Sequence, residues 1–311
     1  MTFAPRTVGW VAAVLTVLIW TFFIIVARAS ASHSLLPLDI GFLRIVGASC
    51  VLIPWGWWLQ RQASPDAPRT GSLGGLSPLP WRITATAGLF GSLLYAMLAY
   101  SGFFFAPAAH ASVLMPGSLP LWTSLLAWWW LKEPLTRPRL IGLACIVGGD
   151  VLVGGMSLLR ALDGGEVWKG DLLFMSAAFC WAVYTVLVRR HGLDAVRATI
   201  AITAFSCASF VPIYALAAWQ GWVPSHLDQA PWGEVLFQAL YQGIGSVVIS
   251  GITFNLMIRH YGPVRSTMMT ALVPGLSALG AVVLLGEPMG WNLVVGLALV
   301  TCGILFGVRR N

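Results

Sequence analysis

The side chains that could bind a small molecule in this chain are aromatic rings and isolated polar groups within long apolar runs. Trp20, Trp181 and Tyr184 lie well inside such runs, and so do Tyr95 and Asn255. Tryptophan and tyrosine combine a flat apolar ring with one hydrogen-bonding group, so they can stack on a planar solute and orient it. A phenol or amide in apolar surroundings needs a partner, which is a solute, water or a neighbouring helix. These residues are therefore candidates for a binding site, with helix packing as the alternative role.

Two methionines and four helix-breaking residues extend this set. Met115 and Met269 offer flexible, polarisable surface, which serves either a solute or the filling of gaps between helices. Proline removes a backbone hydrogen bond from a helix and marks either a hinge or a fixed kink. The candidate hinge residues are Pro116, Gly117, Pro120 and Pro274.

Composition determines what kind of element must hold these residues. Of 311 residues, 58% are hydrophobic and only 9% are charged, against about 25% charged residues in ordinary soluble domains. The mean hydropathy is +0.81. Such a chain cannot cover itself with polar surface, so the lipid bilayer is its expected surrounding. The five cysteines lie in apolar runs without a CxxC pair, and neither a metal site nor a cofactor is expected.

Ten apolar runs are long enough to cross a bilayer as helices, which satisfy their own backbone in lipid. The first run resembles a signal peptide, but it has the length of a full span and is expected to be retained. The connections are short except for the loop from Gln60 to Trp81, and no soluble domain is expected. The approximate limits are 8–29, 38–59, 82–105, 107–131, 138–159, 171–190, 197–218, 233–258, 263–286 and 290–308.

The basic residues predict the orientation in the membrane. All but four of the 18 lysine and arginine residues fall on the side of the N-terminus, which the positive-inside rule makes the cytoplasm. Arg28, Arg160 and Lys169 lie on the outer side, and Arg44 falls within the second span. Both termini are therefore expected in the cytoplasm. The scatter of basic residues between apolar runs explains the net charge of +7 without a nucleic-acid partner.

A repeat runs through the whole chain. Residues 119–135 read LPLWTSLLAWWWLKEPL, and residues 273–289 read VPGLSALGAVVLLGEPM, at an offset of 154 that continues over three spans. Upstream the offset is 161, which pairs Trp20 with Trp181 and Arg28 with Arg189. The chain therefore divides into repeats at 1–160 and 161–311. Five spans in each repeat force the second copy to enter the membrane from the other side, an inversion that is typical of alternating-access transporters.

The ends of the two repeats resemble a known family. LKEPLTRPRLIGLACIVGGDVLVG and LGEPMGWNLVVGLALVTCGILFG are similar to the Glu-containing turn and glycine-rich last helix of EamA-type members of the drug/metabolite transporter superfamily. FCWAVY and the Tyr95 region resemble, more narrowly, bacterial exporters of aromatic amino acids. The resemblance implies a bacterial inner membrane location and a central cavity lined by spans one, three, four, six, eight and nine. It also implies that spans five and ten pack the halves together.

Several ionisable residues lie within or beside the predicted spans. Glu133 and Glu287 each precede a proline at the end of a span, which predicts helix-ending turns. Arg44, Asp150 and His110 fall within or close to the predicted spans, where an ionisable group is a functional candidate. Arg44 has a packing or a carboxylate-binding role, and Asp150 and His110 are candidates for proton coupling. Asp150 is also placed within reach of the membrane boundary.

The sequence thus predicts an all-α membrane protein with ten transmembrane helices, arranged as two inverted five-helix repeats around a central cavity. The predicted function is export of small apolar or aromatic amino acids and related metabolites by alternating access. Transport of other drugs, metabolites or phosphorylated sugars is the first alternative, and a non-transport structural or sensory role is the second. No HExxH, GxSxG or Walker-type motif suggests an enzyme. The low number of buried carboxylates favours uncoupled movement.

Overall fold

The computed structural model describes residues 5–62, 71–270 and 272–308, with side chains from 8 to 306 within these ranges. The described part is helical in ten segments, one for each apolar run of the sequence, and this confirms the predicted fold class. The segments are α1 (Pro5–Ser30), α2 (Pro37–Arg61), α3 (Trp81–Phe105), α4 (108–131), α5 (Arg137–Ala161), α6 (Val167–Arg190), α7 (Ala195–Trp219), α8 (Trp232–Tyr261), α9 (Pro263–Leu285) and α10 (Trp291–Val308).

Eight of these helices are long and apolar enough to cross a bilayer, so the chain is a multi-pass membrane protein. The other two are α4, which a turn at Ser118 interrupts, and α10, whose apolar part Trp291–Phe306 is shorter. Part of the loop between α2 and α3 lies outside the described residues, including Pro65 and Pro68. The side chains of four basic residues used for the orientation also lie outside them: Arg6, Arg69, Arg309 and Arg310.

The helices pack in pairs that respect the repeat. Helix α5 packs on α10, α2 on α7, and α4 on α9, and each of these pairs joins equivalent helices of the two halves. The contact of α3 with α6 has its counterpart in α8 with α1, and that of α2 with α8 in α7 with α3. Exchanging the halves therefore reproduces the packing, as a two-fold relation between them requires.

Glycines in α5 and α10 show that the halves are inverted. A Cβ atom added at Gly149 would lie 2.6 Å from the carbonyl oxygen of Gly296, and one at Gly303 would lie 2.5 Å from that of Gly142. Since residue numbers rise along one helix as they fall along the other, α5 and α10 run antiparallel. Their backbones approach closely because these positions carry no side chain. As the resemblance implies, spans five and ten join the halves.

Three helices lose regular α-helical hydrogen bonding near their middle. Wider π-helical turns occur at Leu89–Leu94 in α3, at Val113–Gly117 in α4 and at Ala239–Ile249 in α8. In α4 the π-helical turn contains Pro116, and a second helical part, Leu119–Leu131, begins after Ser118. Such turns are frequent at functional sites because they turn side chains away from the regular helical positions. In this chain they lie in helices around the centre of the bundle.

Candidate functional site

A small cavity lies where α1, α3, α4, α6 and α9 meet. Its volume is about 20 Å³, measured as the space open to the centre of a water molecule, which is room for about one or two waters. An amino acid does not fit this space, so the helices around it must separate before a solute of that size can bind. The cavity is lined by Trp20, Phe23, Ile24, Tyr95, Met115, Pro116, Leu119, Ala178, Trp181 and Val273.

Trp181 is the centre of a cluster of rings beside this cavity. Its ring centroid lies 4.8 Å from that of Tyr95, 5.3 Å from Tyr184 and 5.8 Å from Phe254. It also meets Trp20 edge to face at 5.9 Å. Because Trp20 and Trp181 are equivalent in the repeat, their contact places them at the line of symmetry between the halves. Helix α8 reaches the cluster through Phe254 rather than through a residue that lines the cavity.

The polar groups of these rings differ in how far they are satisfied. Trp20 donates its indole N–H to Ser250 Oγ at 3.3 Å. The indole nitrogen of Trp181 is buried and has no hydrogen-bond partner among the described residues. The hydroxyl of Tyr95 likewise makes no hydrogen bond in the described part of the chain. Trp181 and Tyr95 therefore offer two hydrogen-bonding groups to a ligand in the cavity.

Two of the predicted binding residues bond each other and do not line the cavity, although Oδ1 of Asn255 is buried without a hydrogen-bond partner among the described residues. Asn255 donates from Nδ2 to the Tyr184 hydroxyl at 2.8 Å and to Thr199 Oγ1 at 3.1 Å. Both Asn255 and Tyr184 are 1% exposed. Of the alternatives that the sequence left open for Asn255, the neighbouring helix is the one observed. Met115 lines the cavity, whereas its repeat equivalent Met269 is half-buried away from it.

The predicted hinge residues are buried in α4 and α9, and α9, like α4, has two helical parts, Pro263–Met269 and Leu272–Leu285. Pro116 lines the cavity, whereas Gly117 faces α10, where an added Cβ atom would lie 2.8 Å from Cγ1 of Val300. Pro120 opens the second part of α4, and Pro274 lies in the corresponding part of α9. The structure thus brings one of the four to the cavity and places the others where helix parts change direction or pack.

Sequence reasoning missed several residues of the cavity wall. Ala178 precedes Trp181 by three positions, so the two lie on one face of α6, and that spacing was the signal. Phe23 could be identified from the sequence, because the offset of 161 pairs it with Tyr184. Val273 precedes Pro274, but the direction of its side chain depends on the bend of α9, which the sequence does not reveal.

Arg44 lies directly behind the aromatic wall. It is 4% exposed, and its Nη1 donates to Tyr100 Oη at 3.3 Å and to Ser246 Oγ at 2.9 Å. Its guanidinium carbon lies 5.8 Å from the ring centroid of Phe23 and 5.9 Å from that of Tyr95. A cation is therefore buried beside the cavity, behind the Phe23 and Tyr95 rings that line it.

One end of the bundle is closed by a charged link between the halves. Arg28 Nε donates to Glu287 Oε1 at 2.9 Å, and Arg28 Nη1 donates to the carbonyl oxygen of Phe103 at 2.7 Å. Glu287 also accepts from the backbone N–H of Ala108 at 3.1 Å and of Ala109 at 3.2 Å. This carboxylate therefore ties α9 of the second half to α1 and to the start of α4 in the first. We call this set of contacts the Arg28 link.

The equivalent residues at the opposite end make no such link. Arg189, the counterpart of Arg28, is exposed and makes no ion pair in the described part of the chain. Glu133, the counterpart of Glu287, lies 4.0 Å from Arg139 in its own half. Both glutamates end their helices as predicted, because each backbone N–H bonds a carbonyl six residues earlier, at Ala127 and Ala281, in both cases at 3.2 Å. The two ends of the molecule are thus equivalent in sequence but different in contacts.

Buried carboxyl groups are more numerous than the sequence suggested. Asp39 accepts hydrogen bonds from Tyr214, Ser225 and the backbone of His226 and Leu36. Asp150 is 6% exposed, and neither of its oxygens has a partner among the described residues. Asp150 lies near the middle of α5, which favours the intramembrane position over the boundary position, the two alternatives that the sequence left open.

A third buried carboxyl group, Asp171, is the partner of the predicted candidate His110. Asp171, at the start of α6, lies 2.9 Å from Nδ1 of His110 and accepts a short hydrogen bond from Ser157. This cluster joins α4, α5 and α6 near their ends at the side of the Arg28 link. His110 is therefore held by an acidic partner that the sequence did not place beside it. No group of three or more possible metal ligands occurs within the described ranges.

Two inverted five-helix halves with a cavity between them define a class of membrane protein, the secondary transporters built from inverted repeats. The family model for EamA-like transporters matches residues 7–155 and 168–309. The chain belongs to the EamA-like transporter family. Its two matched segments correspond to the two halves of the structure.

Proteins similar to this chain are also named as transporters. An uncharacterized transporter of Archaeoglobus fulgidus is 25% identical over 300 residues, which cover 96% of each chain. A probable amino-acid metabolite efflux pump of Salmonella typhimurium is 24% identical over 96% of this chain and 94% of its own. A solved crystal structure superposes with a TM-score of 0.64 at 23% identity, covering 97% of this chain and 96% of the other, and supports the fold. Family and relatives indicate a transporter and not an enzyme.

Proposed function

We propose that this chain exports small apolar or aromatic amino acids and related metabolites by alternating access between its two halves. The observation that carries the proposal is the cavity at the line of symmetry, whose lining residues are uncharged and include four aromatic rings. Such a wall suits a solute with a flat or aliphatic side chain. The name of the Salmonella relative, an amino-acid metabolite efflux pump, supports the same class of solute.

Phosphorylated sugars fit the cavity less well. A phosphate group carries more charge than a carboxylate and is usually held by several basic side chains. Lys132 follows the end of α4, and Lys169 is exposed near the start of α6. Arg44 is the single buried cation beside the cavity in the described part of the chain. A solute with one negative charge is therefore favoured.

The proposed placement is a bacterial inner membrane with both termini in the cytoplasm, and the division between the halves falls at residues 160 and 161. The distribution of lysine and arginine supports the orientation, and the gap between the two matched segments, 7–155 and 168–309, supports the division. In this orientation the Arg28 link lies on the outer side. Solute then leaves the cell when that link opens.

Alternating access is supported by the difference between the two ends. The Arg28 link is formed at one end. At the other end, the counterpart residues Arg189 and Glu133 make no ion pair between the halves in the described part of the chain. Inverted halves can exchange their conformations, so a link between Arg189 and Glu133 is expected in the opposite state. Pro116, Gly117, Pro120 and Pro274 act as hinges in this exchange, since they lie where α4 and α9 are irregular.

Reconstitution tests the transport proposal. We expect proteoliposomes containing the purified chain to exchange labelled L-phenylalanine in a time-dependent manner. We expect Trp181→Ala and Tyr95→Ala to lower the exchange rate about tenfold, since each loses stacking area at the cavity wall. Trp128→Ala is the matched control, because Trp128 is 52% exposed and lies away from the cavity. Thermal unfolding of each variant verifies that the protein is folded.

Different results contradict the export function, the position of the binding site and the uncoupled movement. Absence of movement of any labelled aromatic or aliphatic amino acid by folded protein contradicts the exporter. Equal losses in the Trp128 control contradict the position of the binding site. Movement is proposed to be uncoupled, because the residues that line the cavity include no carboxyl group, and accumulation driven by an imposed pH gradient alone contradicts that. Asp150→Asn then tests whether the partnerless carboxyl in α5 carries the proton.

A further inference from the structure

The position of Arg44 is costly unless a negative charge joins it. A guanidinium removed from water needs a counter-charge. Without one, the free energy lost on its burial exceeds the stabilisation from a few hydrogen bonds. No carboxylate lies within ion-pair distance of Arg44 in the described part of the chain. Its hydrogen-bond partners, Tyr100 and Ser246, are neutral.

Most of the guanidinium is free to bind a ligand. Both hydrogen bonds to Tyr100 and Ser246 come from Nη1, and Nε and Nη2 donate none within the described residues. The group lies against the rings of Phe23 and Tyr95, and both rings line the cavity. Aromatic faces stabilise a cation in part. Because these two rings line the cavity, Arg44 also lies where the charge of a ligand would arrive as the cavity widens.

We propose that Arg44 binds the carboxylate of the transported solute. The planar fork formed by Nε and Nη2 matches the two oxygens of a carboxylate. The solute's apolar or aromatic side chain would then lie against Trp20 and Trp181, whose partnerless indole N–H is a further donor. This inference rests on the proposed function and names the solute class as monocarboxylates with an apolar or aromatic side chain.

The repeat does not itself require a charge at this position. At the upstream offset of 161 the counterpart of Arg44 is Phe205, an apolar residue 9% exposed. The two-fold packing of α2 and α7 is therefore compatible with an uncharged side chain. The alternative role for Arg44 is purely structural, joining α2 to Tyr100 of α3 and Ser246 of α8.

Ligand competition with the unmodified protein separates these roles. Exchange of labelled L-phenylalanine in proteoliposomes is measured against 3-phenylpropionate, which keeps the carboxylate, and against L-phenylalaninamide and phenethylamine, which lack it. We expect 3-phenylpropionate to inhibit within about threefold of L-phenylalanine and the other two to be at least about tenfold weaker, the loss of a charged hydrogen-bonded pair. Equal inhibition by L-phenylalaninamide and L-phenylalanine overturns the proposal.

Two variants locate the effect at Arg44. We expect Arg44→Gln to remove the preference for 3-phenylpropionate over phenethylamine, whereas Ser246→Ala removes one hydrogen bond of Arg44, leaves its charge and keeps the preference. A preference that survives in folded Arg44→Gln overturns the proposal. If Arg44→Gln does not fold, the competition series and Ser246→Ala still decide.

A second readout keeps the two proposals distinguishable. If no labelled amino acid moves through the unmodified protein, the proposed function fails. Thermal unfolding with 3-phenylpropionate or phenethylamine then tests Arg44 alone, because a ligand that binds the folded state raises the unfolding midpoint. An unfolding midpoint that rises with 3-phenylpropionate but not with phenethylamine supports carboxylate binding. Equal midpoints with the two ligands overturn it.

Discussion

Single side chains of the same type have different roles in this molecule according to their partners. Tyr95 lines the cavity and makes no hydrogen bond among the described residues, whereas Tyr184, also in the ring cluster, accepts from Asn255. Asn255 in turn joins α8 to Thr199 of α7. We therefore expect Tyr95 to affect transport and the pair of Tyr184 and Asn255 to affect stability.

Replacement of Asn255 tests this division. We expect Asn255→Ala to lower the free energy of unfolding by about 1–3 kcal/mol, because the buried Tyr184 hydroxyl loses its partner and Thr199 keeps only its bond to the carbonyl of Ala195. Tyr184→Phe should cost less, since the amide keeps its bond to Thr199. Chemical or thermal unfolding in detergent measures both. An unchanged unfolding midpoint with lost exchange of labelled L-phenylalanine would place Asn255 at the solute instead.

Among the helices, α4 combines the cavity wall with an irregular backbone. Its first part contains the π-helical turn and Pro116, Ser118 interrupts it, and Pro120 lies in the first turn of the second part. A helix without continuous backbone hydrogen bonds bends at lower cost than a regular one. The bend lies beside the cavity, so its motion would change the space open to the solute.

Restoring a regular helix at this bend should slow transport. We expect the double variant Pro116→Ala and Pro120→Ala to lower the exchange rate about fivefold or more while the protein stays folded, because hinge positions limit opening and closing steps. Pro54→Ala is the matched control, since Pro54 also lies inside a helix but in α2, which does not line the cavity. An exchange rate like that of the unmodified protein would make the bend a static kink.

Across the whole molecule, the halves match in packing but differ in their polar contacts. Ser277 of α9 donates to Ser112 of α4 at 2.8 Å near the Arg28 link. All four of these hydroxyl groups bond a carbonyl of their own helix, but the repeat equivalents Thr123 and Ser266 make no bond to each other in the described part of the chain. The same difference thus appears in the serine pair as in the charged link. Such a difference between the two ends is what the proposed alternating access predicts for a single state.

Paired cysteines test whether the opposite state is visited. In a background whose five native cysteines are replaced by alanine, Ser112→Cys with Ser277→Cys should form a disulfide readily and stop exchange. We also expect Thr123→Cys with Ser266→Cys to cross-link, because these residues approach when the halves exchange conformations. Gel mobility measures cross-linking, and Glu287→Gln should accelerate the second reaction by weakening the Arg28 link. Continued exchange without any cross-link at the second pair contradicts alternating access by the two halves.

Much of this architecture could be predicted because it depends on distances along the chain. A span is a matter of apolar length, so the ten helices were located within a few residues. The inversion followed from the offset of 154 and the odd number of spans. Trp20 and Trp181 were identified because their depth and their equivalence can both be counted from the sequence.

What the sequence by itself determined was therefore the membrane class, the two repeats and the family, since these are properties of length, order and composition. Only the tertiary structure decided which polar groups meet. The rotation of each helix about its axis sets which side chains face the cavity, and helix packing sets that rotation rather than spacing along one chain segment. Helix packing placed Arg44 behind the aromatic wall and bonded Nδ2 of Asn255 to the Tyr184 hydroxyl. It joined Glu287 to Arg28 but left their counterparts at the other end apart in the described part of the chain.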